Sequence, residues 1–200
     1  MRTARWKHGI TIAAVLTLAS TAVRAQSWTA TLSGASETPP NASPGTGFAL
    51  FELNALNELT ISGTFSGLSG LTTAAHAHCC TAVPFTGNAG VATTTPTLVG
   101  FPLGVTNGMF VSTIDLDFAS SYNPVFLTAN GGTPASARNA LISGFNAGRT
   151  YLNIHTVAFP GGEINGFLRS TVPEPSTIAL TAFGLLSVAV VARRRRTRPA

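Results

Sequence analysis

Between residues 26 and 170, short runs in which apolar and polar positions alternate are separated by clusters of glycine, proline, serine, threonine and asparagine. Seven such runs stand out: SWTATLSG from Ser27, TGFALFELN from Thr46, NELTISGTFSG from Asn57, AAHAHCC from Ala74, GMFVSTIDLDF from Gly108, TYLNIHTV from Thr150 and GEINGFLRS from Gly162. A period of two is the mark of a strand with one face buried. In the fifth run Ile114, Leu116 and Phe118 alternate with Asp115 and Asp117, which predicts a strand reaching Phe118 with a wet acidic face. The two aspartates read as that face rather than as a calcium site, because calcium takes six to eight oxygen ligands and no acidic loop is present. One segment follows a different period. Ala137, Leu141, Ile142 and Phe145 recur at helical spacing, with Pro134 near the start and Gly148 near the end, which predicts one short helix.

The last two runs form the clearest hairpin, with Pro160-Gly161-Gly162 at the reversal. Pairing His155 with Glu163 also pairs Asn153 with Asn165 and Tyr151 with Phe167, while Leu152, Ile154, Ile164 and Leu168 gather on the opposite face. A slip of one residue would mix the two sets, so the pattern itself specifies the register. Serial antiparallel strands point to an all-β fold, an immunoglobulin-like or Greek-key antiparallel β-sandwich with one short helix in a connection. To this the ends of the chain add an N-terminal signal helix and a C-terminal transmembrane helix.

At the N-terminus, Arg2, Arg5 and Lys7 precede an apolar run from Ile10 to Ala19, and Val23 and Ala25 occupy the small-residue positions of a cleavage site. Residues 1–25 are thus expected to be a secretory signal peptide, the run being short for a permanent anchor. At the other end Thr177 to Ala192 is apolar and uncharged, and Arg193, Arg194, Arg195 and Arg196 follow at once. Sixteen helical residues extend about 24 Å, a marginal span for a hydrocarbon core of about 30 Å, with the arginines on the cytoplasmic side. Pro173, Glu174 and Pro175, then one apolar helix, then an arginine cluster resemble the PEP-CTERM sorting signal of Gram-negative bacteria. The resemblance implies an exosortase-type transpeptidase as partner, a transient inner-membrane intermediate, and delivery to the cell surface or an extracellular polysaccharide matrix. A plain tail anchor would share the helix and the arginines but has no need of the Pro-Glu-Pro segment.

The formal charge of +5 suggests nucleic acid only until the charges are located. Nine of the twelve basic residues sit in the two terminal segments; Arg138, Arg149 and Arg169 face six carboxylates in residues 26–172, a net charge of −3. That excludes a phosphate-binding footprint. Residues 26–171 make one domain and residues 172–200 the sorting segment. Within the domain LSGASETPP, GFALFELN, GLTTAAHAHCC, SGFNAGRTYLNIHT and PGGEINGFL resemble, in order, the motifs of the chordin-type or CHRD domain. That resemblance implies an immunoglobulin-like β-fold and carries no agreed catalytic activity.

The candidate chemistry lies in AHAHCC, residues 75–80. Residues two apart share a strand face, so His76, His78 and Cys80 are expected on one side, open to water, and Ala75, Ala77 and Cys79 on the other. With His155 on a neighbouring strand, three imidazoles suit copper or zinc, with Cys80 or Glu163 as a fourth ligand or an orienting group. The competing reading makes the histidines structural, hydrogen-bonded to backbone or to Glu163. For the adjacent Cys79 and Cys80, a vicinal disulfide is favoured over two free thiols or a link to another chain, the exported compartment being oxidising. No Gly-x-Ser-x-Gly motif occurs, and the carboxylates are too scattered for a serine triad. The expectation is an exported, non-catalytic binding or structural module, meeting extracellular polysaccharide or surface proteins and no nucleic acid; the alternative is a copper- or zinc-dependent redox or metal-sequestering protein.

Overall fold

The computed structural model describes residues 26–171 and 183–187. The signal peptide, the Pro173-Glu174-Pro175 motif, most of the apolar tail and the arginine cluster lie outside the described residues. Among the described residues no helix is long and apolar enough to cross a membrane.

Among the described residues eight strands form, all paired antiparallel: β1 (Gln26–Ser33), β2 (Thr46–Leu53), β3 (Glu58–Ser66), β4 (Thr72–Cys79), β5 (Gly108–Asp115), β6 (Thr150–Thr156), β7 (Ile164–Phe167) and β8 (Arg169–Ser170). Their order is β4-β6-β7-β1-β2-β3-β5, with β8 also on β1, so the layers are the two halves of one curled sheet. Alternation does what the sequence requires. Trp28, Ala30 and Leu32 of β1 are buried, Ala49, Phe51 and Leu53 of β2 lie beside them, and Leu59 and Ile61 of β3 continue the row. The register pairs Trp28 with Phe51 and Phe51 with Ile61, which places the large side chains on the same face. Strand β5 ends at Asp115, short of the expected Phe118, because the backbone turns there: the Asp117 amide donates to the Asp115 carboxylate and Asp117 ion-pairs with Arg138.

The expected helix is α2 (Pro134–Asn146), started by a capping box between Thr133 and Ser136 with Pro134 in the first turn. Its buried face, Ala137, Leu141 and Phe145, closes the sheet, and the Phe145 ring meets Trp28 edge-on at 4.9 Å and Phe51 at 5.7 Å. A second helix, α1 (Pro124–Ala129), was not expected; Asn123 caps it by accepting from the Val125 amide. The hairpin register is the expected one, with Tyr151 opposite Phe167 and Asn153 opposite Asn165.

Where α2 crosses β4 and β6, a Cβ on Gly144 would lie 2.5 Å from Cys79 Sγ, 2.6 Å from Cys80 Sγ and 2.7 Å from Thr150 Oγ1. Alanine is the better helix former by about 1 kcal/mol, but overpacking against immobile neighbours costs about 1–3 kcal/mol, and the second effect wins. Gly144→Ala is therefore expected to lower stability in a denaturant melt. An unchanged or raised midpoint would contradict this close packing.

Candidate metal centre

The sequence runs straight through β4 so that Ala75 and Ala77 enter the core and His76 and His78 point the other way. Strand β6 pairs with β4, His76 opposite Asn153 and His78 opposite Tyr151, and its own alternation puts His155 on the same face beyond Asn153. That face was expected to be open. Instead His76 and His78 are 7% and 8% exposed, because the long connection between β4 and β5 folds over them. The same connection hydrogen-bonds along the free edge of β4, Leu98 donating to Ala75 and Ala92 to Ala77, which protects the edge as well as covering the histidines.

Each imidazole is held by one backbone carbonyl. His76 Nε2 lies 2.6 Å from the Pro96 oxygen, His78 Nδ1 2.9 Å from that of Ala89, and His155 Nδ1 3.0 Å from that of Pro160. A carbonyl oxygen only accepts, so each of those nitrogens carries the proton and the other nitrogen bears a lone pair. The remaining atoms, His76 Nδ1, His78 Nε2 and His155 Nε2, are buried and without hydrogen-bond partners. The three rings stand at centroid separations of 5.4, 5.7 and 6.1 Å, and one ring nitrogen from each lies within 4.8 Å of the other two. Zinc–imidazole bonds of about 2.0–2.1 Å bring ligand nitrogens to roughly 3.4 Å, so an ion would draw the three nitrogens closer together than they stand here. Outer hydrogen bonds from the far nitrogen to a carbonyl are the usual way a ligating histidine is oriented.

Burial pushes all three imidazoles below their ordinary pKa, His78 down to about 4, and the proximity of the other rings adds to the effect on His76 and His78. They are neutral at pH 7, the form that binds metal. Below about 6.5 an unfolded chain protonates histidines that the folded one keeps neutral, so metal-free stability falls as pH drops through 6.5 toward 4. Glu37 opposes this: burial raises its carboxyl to about 7, so its contribution grows as the pH falls from 7 toward 4.5. Three imidazoles outweigh one carboxyl, and thermal melts in chelator are expected to fall over this window. A flat profile would contradict the buried neutral trio.

Around the trio, the Tyr151 ring stacks on His78 at 4.9 Å and 12°, and its hydroxyl meets the backbone of Ala89, the residue that also holds His78. Asn153 stands opposite His76, between Tyr151 and His155 on β6, and Asn165 extends the face away from the histidines; each has a buried, unpartnered Oδ1, and Asn165 donates to Glu37. The paired asparagines were legible in the hairpin register; Glu37 had no sequence signal as a neighbour.

The structure does not bring Cys80 or Glu163 to the trio. Cys79 and Cys80 form a vicinal disulfide, and Cys80 Sγ turns toward α2, 3.8 Å from the Ala140 oxygen. Glu163, fully buried, spends its carboxylate on Ser43, Thr156 and the amides of Ser69 and Gly70, and these bonds outweigh burial and hold its pKa below the ordinary value. The expected link between Glu163 and a histidine is absent for that reason.

In comparison with known families, residues 28–168 match the CHRD domain and residues 171–196 match the PEP-CTERM protein-sorting motif. No curated protein and no solved structure matches the chain.

Proposed function

This chain belongs to the CHRD domain family, and on that premise we propose that it is a non-catalytic surface module that holds one copper or zinc ion on His76, His78 and His155. The C-terminal motif marks it as the substrate of an exosortase-type system, exported through a membrane intermediate to the cell surface or the extracellular space. The reading of the domain rests on one observation: three neutral imidazoles, each with its N–H committed to a carbonyl, leave three buried lone pairs facing no protein donor. A merely structural histidine has no need to leave its second nitrogen unsatisfied in a buried site. The burial of the trio favours holding the ion over turning over a substrate.

Equilibrium dialysis of untagged full-length protein tests this. One ion per chain is expected for both metals, with copper displacing zinc as the Irving–Williams order requires. Failure of either metal to reach stoichiometric binding would overturn the proposal.

A further inference from the structure

A second site lies on the same side of the sheet, past Asn165, in a cleft of about 540 Å³ between β1, β7, β8 and the loops around Glu37 and Phe85. That volume is in the range of small-molecule sites. Its floor is the outward row of β1, Thr29 and Thr31, whose hydroxyls make no hydrogen bond among the described residues. Its apolar walls are the rings of Phe85 and Phe167, which meet edge-on at 6.3 Å. Phe85 has φ 60°, a conformation rare for a residue with a side chain, and is fixed there by its amide donating to the Gly148 oxygen.

The charges of the cleft select the ligand. Of the three arginines among the described residues, Arg138 pairs with Asp117 and Arg149 donates to the Thr81 carbonyl. Arg169 pairs with no carboxylate among the described residues; it lies over the Phe85 ring, 4.2 Å from the centroid, at the lip of the cleft. Glu37, 8% exposed, also lines the cleft, with Oε2 held by Asn165 and Oε1 buried without a partner. Because burial raises this carboxyl to about 7, it offers a hydroxyl donor as readily as a charge. One uncommitted guanidinium, unspent hydroxyls, a protonatable acid and two ring faces suit a hydroxylated ring that bears a carboxylate.

We propose that the cleft bounded by Thr29, Thr31, Glu37, Phe85, Phe167 and Arg169 binds a uronic-acid unit, its carboxylate on Arg169 and its ring against the two phenylalanines. The site does not depend on the metal reading, since no residue of the cleft belongs to the histidine trio.

Calorimetric titration of the full chain with glucuronate, glucose and inorganic phosphate tests it. Saturable glucuronate binding is expected, with glucose about tenfold weaker or worse for want of the carboxylate, and phosphate failing to saturate. Arg169→Gln is expected to weaken glucuronate by about tenfold or more. Arg169 is exposed, so this variant keeps the wild-type melt. The His76→Ala, His78→Ala variant should keep glucuronate binding, which separates failure of one site from failure of the other. No glucuronate binding by the wild type, equal binding by Arg169→Gln, or phosphate binding as tightly as glucuronate would overturn the proposal.

Discussion

The His76→Ala, His78→Ala double variant is expected to lose at least about a thousandfold in copper and zinc affinity, since loss of even one outer partner of a ligand costs 10–100-fold. The accompanying thermal readout is sharper. Metal at about a hundred times its dissociation constant stabilises the folded state by about 2.7 kcal/mol, which for a domain of this size corresponds to a rise of roughly 5–10 °C. In the variant that increment should vanish. Its metal-free form should also melt lower, because Pro96 and Ala89 lose the donors that hold the covering connection over β4; each lost hydrogen bond costs about 1 kcal/mol. The lower baseline follows from either role of the histidines. Only the missing metal increment distinguishes ligands from struts, and a variant that still gained the full increment would show the ion to be held elsewhere.

The largest stability effect is expected at Glu163, outside the metal site. Its carboxylate accepts from the Ser43 and Thr156 hydroxyls, both at 2.6 Å, and from the amides of Ser69 and Gly70. One buried side chain thereby ties the segment before β2, the turn before β4 and the end of β6 into one cluster. Glu163→Ala would leave buried amide and hydroxyl donors with no acceptor, at a cost of about 3–5 kcal/mol, or roughly 10 °C in melting temperature. Glu163→Gln keeps one acceptor but turns an NH2 group toward donors, so it should fall between. Because the hydrogen bonds hold the native carboxyl below its ordinary 4.5, its contribution is present above that pH and lost as the pH falls below it. The alanine variant should therefore show a flatter acid limb than the wild type, and metal binding should survive in it at low temperature. A loss below about 1 kcal/mol would contradict the cluster.

The contrast between these two sites shows what the chain discloses in one dimension. Strand alternation placed Ala75 and Ala77 inward and His76 and His78 together, and the pairing of Tyr151 with Phe167 followed from the only register that sorts apolar from polar residues. Membership in the trio was legible for that reason. The cover was not: residues 81–107 have no period of their own, and they hold the imidazoles through backbone carbonyls, which any residue supplies. Glu163 was placed opposite His155 but spends its oxygens on loop amides far away in sequence, and no local pattern encodes such a partnership. Cys80 was expected beside the histidines by alternation, whereas its bond to Cys79 draws its sulfur toward α2. Helix α1 carried a usable signal in Asn123-Pro124, a capping residue followed by proline, but six residues are too few for a helical period to emerge.

X-ray absorption at the zinc edge of the stoichiometrically loaded full-length protein tests the central claim most directly. Three histidine imidazoles predict a first shell of nitrogen at about 2.0–2.1 Å, with the outer-ring scattering of imidazole counting to three in the wild type and to one or none in the double variant. A shell of oxygen alone, or an imidazole count unchanged by the substitutions, would contradict it.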